Sequence, residues 1–371
     1  MESGSGGEEK VKISVYTKNI SPESGGSFSF TSGIINQLSN ELVENIKIYG
    51  NKIRRCVLMD LWNRLNRPHF LEKMIYLNTL EFLTRFDGSD YVYFPSIHFV
   101  PVTKPYIFTV WDLCHLDFPE MPEIKEDFFN FERRENHYKL VLKGASLVVT
   151  GTDHSKKKII DHYGVKTEKV VVIPFPVRDE FFNYGSRKKR SDDEEKYLFY
   201  PAQFWKHKNH EIVIEALSIL RNHQNFSLKV VFTGSDKGSL SYIKKLVEKR
   251  ELRDQVDFRG FVPFEELIDL YDNASALVFP SFFGPDNIPP LEAMARGCPV
   301  LYSDIEGARD FYRGSVEFFN PEDPKDLADK IFRLVTNIEK SETIRKIAYD
   351  FVKDKRCEKY VSTLLGNIKT K

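Results

Sequence analysis

The chain has 371 residues, and Lys plus Arg and Asp plus Glu both count 54, so the formal net charge is zero. The length admits two domains of ordinary size with sizeable cores, and the charge balance lacks the basic excess of a nucleic-acid binder. The four cysteines (Cys56, Cys114, Cys298 and Cys357) are scattered without a Cys-x-x-Cys pair, which suits a reducing compartment and argues against a disulfide framework or a zinc site. No run of about 18 apolar residues is present to span a membrane. The opening MESGSGGEEK lacks the apolar core of a signal peptide, so a cytoplasmic location is expected.

Residues 11–16 alternate apolar and polar side chains and predict a first strand. The loop over 19–27 carries Gly25 and Gly26, a pair that lets backbone approach a ligand closely, and residues 30–42 follow with helical spacing. Further strands are predicted at 46–49, 91–94, 107–110, 147–149 and 170–173, with helices around 72–82, 128–142 and 155–162. Strands alternating with helices imply βαβ units and a parallel sheet. TVWDLCHLDFPE, 109–120, follows one of these strands and brings Asp112 and His115 to its carboxyl end.

Residues 175–196 break the pattern, with Pro174 and Pro176 at the edge and then GSRKKRSDDEEK, a basic run followed by an acidic one. This stretch reads as a solvated linker or as a patch for peripheral contact with a membrane surface. The domain boundary is placed here, with a first domain over 10–178 and a second over 197–350.

The alternation restarts with a strand at 197–200. PAQFWKHKNH then runs through a loop, carrying Gln203 and Lys208, into a helix near His210. His207 and His210 have no companion cysteine or carboxylate cluster to make a metal site. A strand at 228–232 ends in Thr233-Gly234-Ser235, and another at 256–261 leads through Phe261 and Val262 to a helix over 265–271. Residues 279–304, FPSFFGPDNIPPLEAMARGCPVLYSD, read as strand end, tight loop, helix and strand. Pro289 and Pro290 suit a helix opening, where the N–H groups have no partner, and Gly297 suits the position just past its end. Such a helix points its N-terminus at the carboxyl ends of parallel strands, where phosphates bind. Glu292, expected in its first turn, is placed to accept two ribose hydroxyls. Amphipathic helices over 324–335 and 351–365 close the chain.

The run from Pro280 to Asp304 resembles the donor-site signature of the retaining family 4 glycosyltransferases of GT-B fold. In that signature a Pro-Ser strand end leads to a Glu, seven residues, a second Glu, then Ala-Met-Ala-x-Gly-x-Pro-Val. Glu292 matches the second Glu, which holds the nucleotide ribose, while Gly284 stands where the first would contact the donor sugar. The Gly25-Gly26 pair is similar to the family's glycine pair near the donor phosphates. Asp112 matches the Asp of a Thr-x-His-Asp-Leu segment in which Trp111 replaces the His, and His115 is expected to face the same cleft. Lys208 with Asn209 resembles the family's diphosphate grip, with Gln203 in place of an Arg. The turn at Gly234 lies at the same cleft edge, and Phe261 and Val262 match the segment against the nucleobase. The resemblance covers the chain from about Val11 onward.

It implies an α/β GT-B fold, two Rossmann-like domains facing across a cleft, with the last helix (351–368) crossing back to the first. It also implies a retaining transferase that moves a sugar from a nucleotide-diphosphate sugar to a glycan or lipid-linked glycan, as in polysaccharide biosynthesis, with no metal or other cofactor. Lys208, Asp112 and His115 are the catalytic candidates. Backbone N–H groups around Asp286, Asn287 and Ile288 join Lys208 on the leaving diphosphate. Asp286 or Asn287 would take over sugar contacts from the missing Glu, the alternative being that Asp286 only caps the helix. The three departures at Trp111, Gln203 and Gly284 keep two other readings open, a non-catalytic GT-B binding protein and a GT-B epimerase or phosphorylase.

Overall fold

The computed structural model describes residues 11–17, 21–22, 25–42, 45–50, 80–125, 130–182 and 196–369. Most of the charged run at 185–196 and the greater part of the helix predicted over 72–82 lie outside them. The strands form two separate six-stranded sheets, each built wholly from parallel pairs.

The first sheet has the order β2-β1-β3-β4-β5-β6. Its strands are β1 (Ile13–Tyr16), β2 (Ile46–Tyr49), β3 (Tyr91–Phe94), β4 (Tyr106–Val110), β5 (Leu147–Thr150) and β6 (Val170–Val172). The second has the order β12-β11-β10-β7-β8-β9. Its strands are β7 (Tyr197–Pro201), β8 (Lys229–Thr233), β9 (Val256–Gly260), β10 (Ala276–Phe279), β11 (Val300–Ser303) and β12 (Glu317–Phe319). Helices cover both faces of such sheets, so central strands are apolar throughout rather than alternating. All five residues of β4 and all four of β10 are buried accordingly.

Each order reverses direction once, at β1/β3 in the first sheet and at β7/β10 in the second. Where neighbouring strands send their connections to opposite sides, a crevice opens beyond their carboxyl ends. The loop after β1 carries Gly25-Gly26. The loop after β7 carries Gln203 and Lys208, and the loop after β10 carries residues 280–287. The topology therefore delivers every loop of the donor signature to one cleft.

The closing helix differs from its prediction. A helix over Ile338–Val352 stops, residues 353–356 run beside Val177, and a new helix spans Cys357–Lys369. The apolar stripe at 351–365 serves two cores, which explains the break. Val352 packs in the second-half core, whereas Tyr360, Val361, Leu364 and Ile368 pack with Phe30, Ile34 and Leu38 of the first. The Tyr360 hydroxyl sits 3.0 Å from that of Tyr93, and its ring meets Phe30 edge-on at 5.5 Å. Burying each large apolar side chain contributes about 1.5–3 kcal/mol, so this helix holds the end of the chain firmly on the first half.

Candidate active site in the cleft

Three compartments run along the cleft. The first, about 330 Å³, lies against the carboxyl ends of β8 and β9 and is lined by Gly234, Phe261, Val262, Phe264, Tyr271 and Glu292. Gly25, Gly26 and Gln203 line both this compartment and the second, about 390 Å³, which also takes in Asp112, Lys208, Asp286, Asn287 and Ile288. Of the candidate residues named from sequence, the cleft gathers all but one.

Glu292 lies on the helix Ile288–Ala295, and no acidic residue occupies that helix's first turn. The helix starts at Ile288, ahead of the two prolines, which moves Glu292 into the second turn, a correction to the predicted position. Its carboxylate is 5% exposed and held from two sides. The Ser29 hydroxyl donates to Oε1 at 2.7 Å, and the Tyr271 hydroxyl donates to Oε2 at 3.0 Å. Burial raises the Glu292 pKa, and these two bonds oppose the rise. Each oxygen keeps a second lone pair for a ligand hydroxyl. Ser29 and Tyr271 were not singled out from sequence, although Ser29 follows the Gly-Gly pair by three residues.

Gly234 has φ +130°, and a Cβ there would meet the Ala202 carbonyl oxygen at 2.4 Å, so β7 and β8 close up tightly at the cleft edge. Gln203 is a neutral neighbour whose amide donates to Ser235 Oγ at 3.2 Å and accepts from the Trp205 indole at 3.0 Å. Phe261 is 51% exposed and Val262 8%, a half-open apolar wall suited to a planar base.

Lys208 Nζ donates to Asn287 Oδ1 at 3.1 Å and stands 4.9 Å from the centre of the Phe279 ring. Burial lowers its pKa to about 8, so the ammonium persists at neutral pH. The Tyr200 hydroxyl anchors the Lys208 carbonyl at 2.6 Å. Asn287 is fully engaged: its amide donates to the carbonyls of Phe283 and Gly284 and to the Tyr302 hydroxyl. It fixes the loop and aims Lys208. Ile288 packs on Gly26, whose added Cβ would sit 3.5 Å from it.

Asp286 does not cap the helix; Asn287 occupies the cap position and neither side chain makes a capping bond. The Asp286 carboxyl is 4% exposed and crosses to the first half, where Oδ2 presses on the Cα of Gly151 without a hydrogen-bond partner. Burial raises its pKa to about 7. At Gly284, φ is +86° and a Cβ would lie 2.7 Å from the Asn287 amide. Gly284→Glu is therefore expected to destabilise the fold by roughly 1–3 kcal/mol, read as a lower urea midpoint. An unchanged midpoint would show that the loop does not need glycine here.

In the first half, Trp111 turns its indole N–H to the Pro95 carbonyl at 2.8 Å and lines the cleft floor. Asp112 lies at the same floor. Burial would raise its pKa, but the Arg134 guanidinium 4.0 Å away and the Cys114 N–H outweigh that and hold it low. His115 is the exception among the candidates. It is fully buried on the short helix Cys114–Asp117, with Nε2 3.1 Å from Glu135 and 3.2 Å from the Tyr163 hydroxyl. The helical turn after Asp112 rotates His115 into the protein, so it ties helices together rather than facing the cleft. A cross-cleft contact went unnoticed in the sequence: Glu123 accepts from both the backbone N–H and the ring of His207. Burial alone would raise the Glu123 pKa, but these bonds outweigh it and hold the carboxyl down at about 2.

Residues 185–351 match the family model described as "Glycosyl transferases group 1". The chain is 30% identical over 250 residues to the O-antigen chain mannosyltransferase RfbU of Salmonella typhimurium, covering 67% of this chain and 66% of that one. The crystal structure of Anabaena Alr3699/HepE in complex with UDP and glucose superposes with a TM-score of 0.72 at 15% identity, over 97% of this chain and all of that one. The chain carries a glycosyl transferases group 1 domain on a GT-B fold. The mannosylfructose-phosphate synthase of Agrobacterium fabrum is 25% identical over 64% of this chain, and this chain spans 55% of its length. Glu292, Lys208 and the loop from Pro280 to Asn287 all lie within the group 1 domain.

Proposed function

We propose that this protein is a retaining glycosyltransferase that moves a sugar from a nucleotide-diphosphate sugar to a glycan or lipid-linked glycan acceptor. The observation that carries the reading is the arrangement of groups along the cleft. An apolar base wall and the buried Glu292 line one compartment, and Lys208, the helix end and the Asp286 carboxyl, whose Oδ2 has no hydrogen-bond partner, line the adjoining one. This arrangement suits a nucleoside in the one and a diphosphate and sugar in the other. Similarity to an O-antigen chain mannosyltransferase and to a mannosylfructose-phosphate synthase makes a mannosyl donor the first to test.

Negative charge develops on the diphosphate as the glycosidic bond breaks. Pro289 and Pro290 remove two N–H donors from the helix end. Lys208 therefore carries more of the stabilisation, in a site where low dielectric strengthens it. On this reading Asp286, protonated near neutral pH, donates to a sugar hydroxyl, and Asp112 stands at the acceptor side.

Glu292→Ala tests the nucleoside end. A charged acceptor lost from the ribose costs about 1.5–3 kcal/mol, so calorimetric titration should show nucleotide affinity falling roughly 10- to 150-fold. Glu292→Gln should keep part of it. Affinity unchanged for UDP, GDP and dTDP alike would remove Glu292 from the ribose site.

A further inference from the structure

Lys208 sits on a single short turn, Lys206–Lys208, in the loop after β7. The second half holds this turn from three sides. The Tyr200 hydroxyl donates to the Lys208 carbonyl, the Lys208 ammonium donates to Asn287, and the neighbouring Asn209 amide donates to the Pro321 carbonyl at 2.8 Å. The first N–H groups of so short a turn have no partner within it, and Trp205 at the cap position makes no side-chain bond to them.

The missing cap comes from the other side of the cleft. Glu123, on the short helix Pro122–Lys125, accepts from the His207 N–H at 2.8 Å and from the His207 ring through the same oxygen, Oε1. Both side chains are deeply buried, at 8% and 10% exposure, and Ile124 beside Glu123 is 1% exposed, which seats the short helix in the first half. Burial lowers the His207 pKa to about 4, against the opposing bond to Glu123, so the ring is neutral at pH 7 with its proton on Nδ1. The same ring stacks on Phe283, with centroids 4.1 Å apart, and the His207 carbonyl accepts from the Phe282 N–H at 3.0 Å. Phe283 lines both the second compartment and the third, about 460 Å³. His207 thus joins the loop after β7, the loop after β10 and the first half at one point, one residue before Lys208.

Glu123 also lines the diphosphate-side compartment. A carboxylate there works against an anion, and burying it is costly unless its oxygens are bonded. Its value therefore lies in what it holds. Resting on the transferase reading above, we propose that Glu123 is a positioning residue that caps the Lys208 turn across the cleft, so that the diphosphate grip is complete only with the two halves together. Glu123 acts through His207 and bonds neither donor nor acceptor.

Calorimetric titration of the full chain tests this, with UDP and GDP against uridine and guanosine as probes. In Glu123→Ala, affinity for the better-bound diphosphate should fall roughly tenfold, the scale of one hydrogen bond to a charged group, with nucleoside affinity unchanged. Glu123→Gln should stay within about threefold of wild type, because an amide oxygen accepts the same two N–H groups. Added to Lys208→Ala, Glu123→Ala should cost less than about twofold, since effects that act through one group do not add. Nucleoside affinity falling to the same degree, a Gln variant as weak as the Ala one, or a full-sized loss in the Lys208→Ala background would overturn the proposal. Diphosphate affinity untouched or raised by Glu123→Ala would also overturn it, and leaves the transferase reading standing. A wild-type chain that binds neither diphosphate better than its nucleoside defeats the transferase reading and the role of Glu123 together.

Discussion

Lys208→Ala is expected to lower transfer by roughly 100- to 1000-fold, the cost typical of removing one preorganised group from developing charge. Nucleoside binding should change little, because on the proposed reading the ammonium acts on the diphosphate, where the transition state is more negative than the ground state. The position that would hold a second cation is Gln203, whose amide is bonded to Ser235 and Trp205, and Arg134, which lines the same compartment, stands against Asp112. The pKa of Lys208, lowered to about 8 by burial, adds a pH signature. In the unliganded protein the ammonium deprotonates as pH rises through about 8, so kcat/KM should fall above that pH, and Lys208→Arg should remove the fall. Equal losses in uridine or guanosine binding and in transfer from the sugar nucleotide would assign Lys208 a structural role.

Asp286 carries the second large effect, on stability as well as turnover. Its folded pKa is about 7 against about 3.9 for a free aspartate, so the native state favours the protonated form. For an acid whose pKa is raised on folding, stability is fully present below the unfolded value and is lost as pH rises through the folded one. The loss therefore builds between about pH 4 and pH 7, and three units set an upper bound of about 4 kcal/mol. Asp286→Asn should remove it, so urea midpoints of wild type and variant should diverge between pH 5 and pH 8, with the variant more stable at the upper end. Parallel curves would mean that the carboxyl is not held neutral in the cleft. Transfer should fall at least tenfold in Asp286→Ala and less in Asp286→Asn, which keeps an N–H donor, while binding of the bare nucleotide stays nearly intact.

The legible part of this molecule was local. Strand identities came through because central parallel strands are continuous apolar runs, as in Ala276–Phe279. The donor loop came through because Pro289, Pro290 and Gly297 constrain backbone over a few residues. What escaped depends on contacts distant in sequence. The hydrogen bond from Ser29 to Glu292 joins residues 263 apart, and Glu123 meets His207 across the cleft. Local spacing carries no trace of either. His115 was misplaced because one helical turn over Cys114–Asp117 decides whether it faces the cleft or Glu135. The last helix was drawn through 353–356 because one apolar stripe feeds two cores in succession. Asp286 was legible as a candidate, but its close approach to Gly151 required the two halves to be seen together.

The central claim is that the cleft transfers a sugar from a nucleotide-diphosphate donor with retention. It is tested most directly by following UDP-, GDP- and dTDP-sugars with a neutral glycoside acceptor by proton NMR, reading both donor loss and the anomeric coupling of the product. The account predicts that one α-linked donor is consumed and that the new glycosidic bond is also α. An inverted product, or every donor left intact in the presence of acceptor, would contradict it.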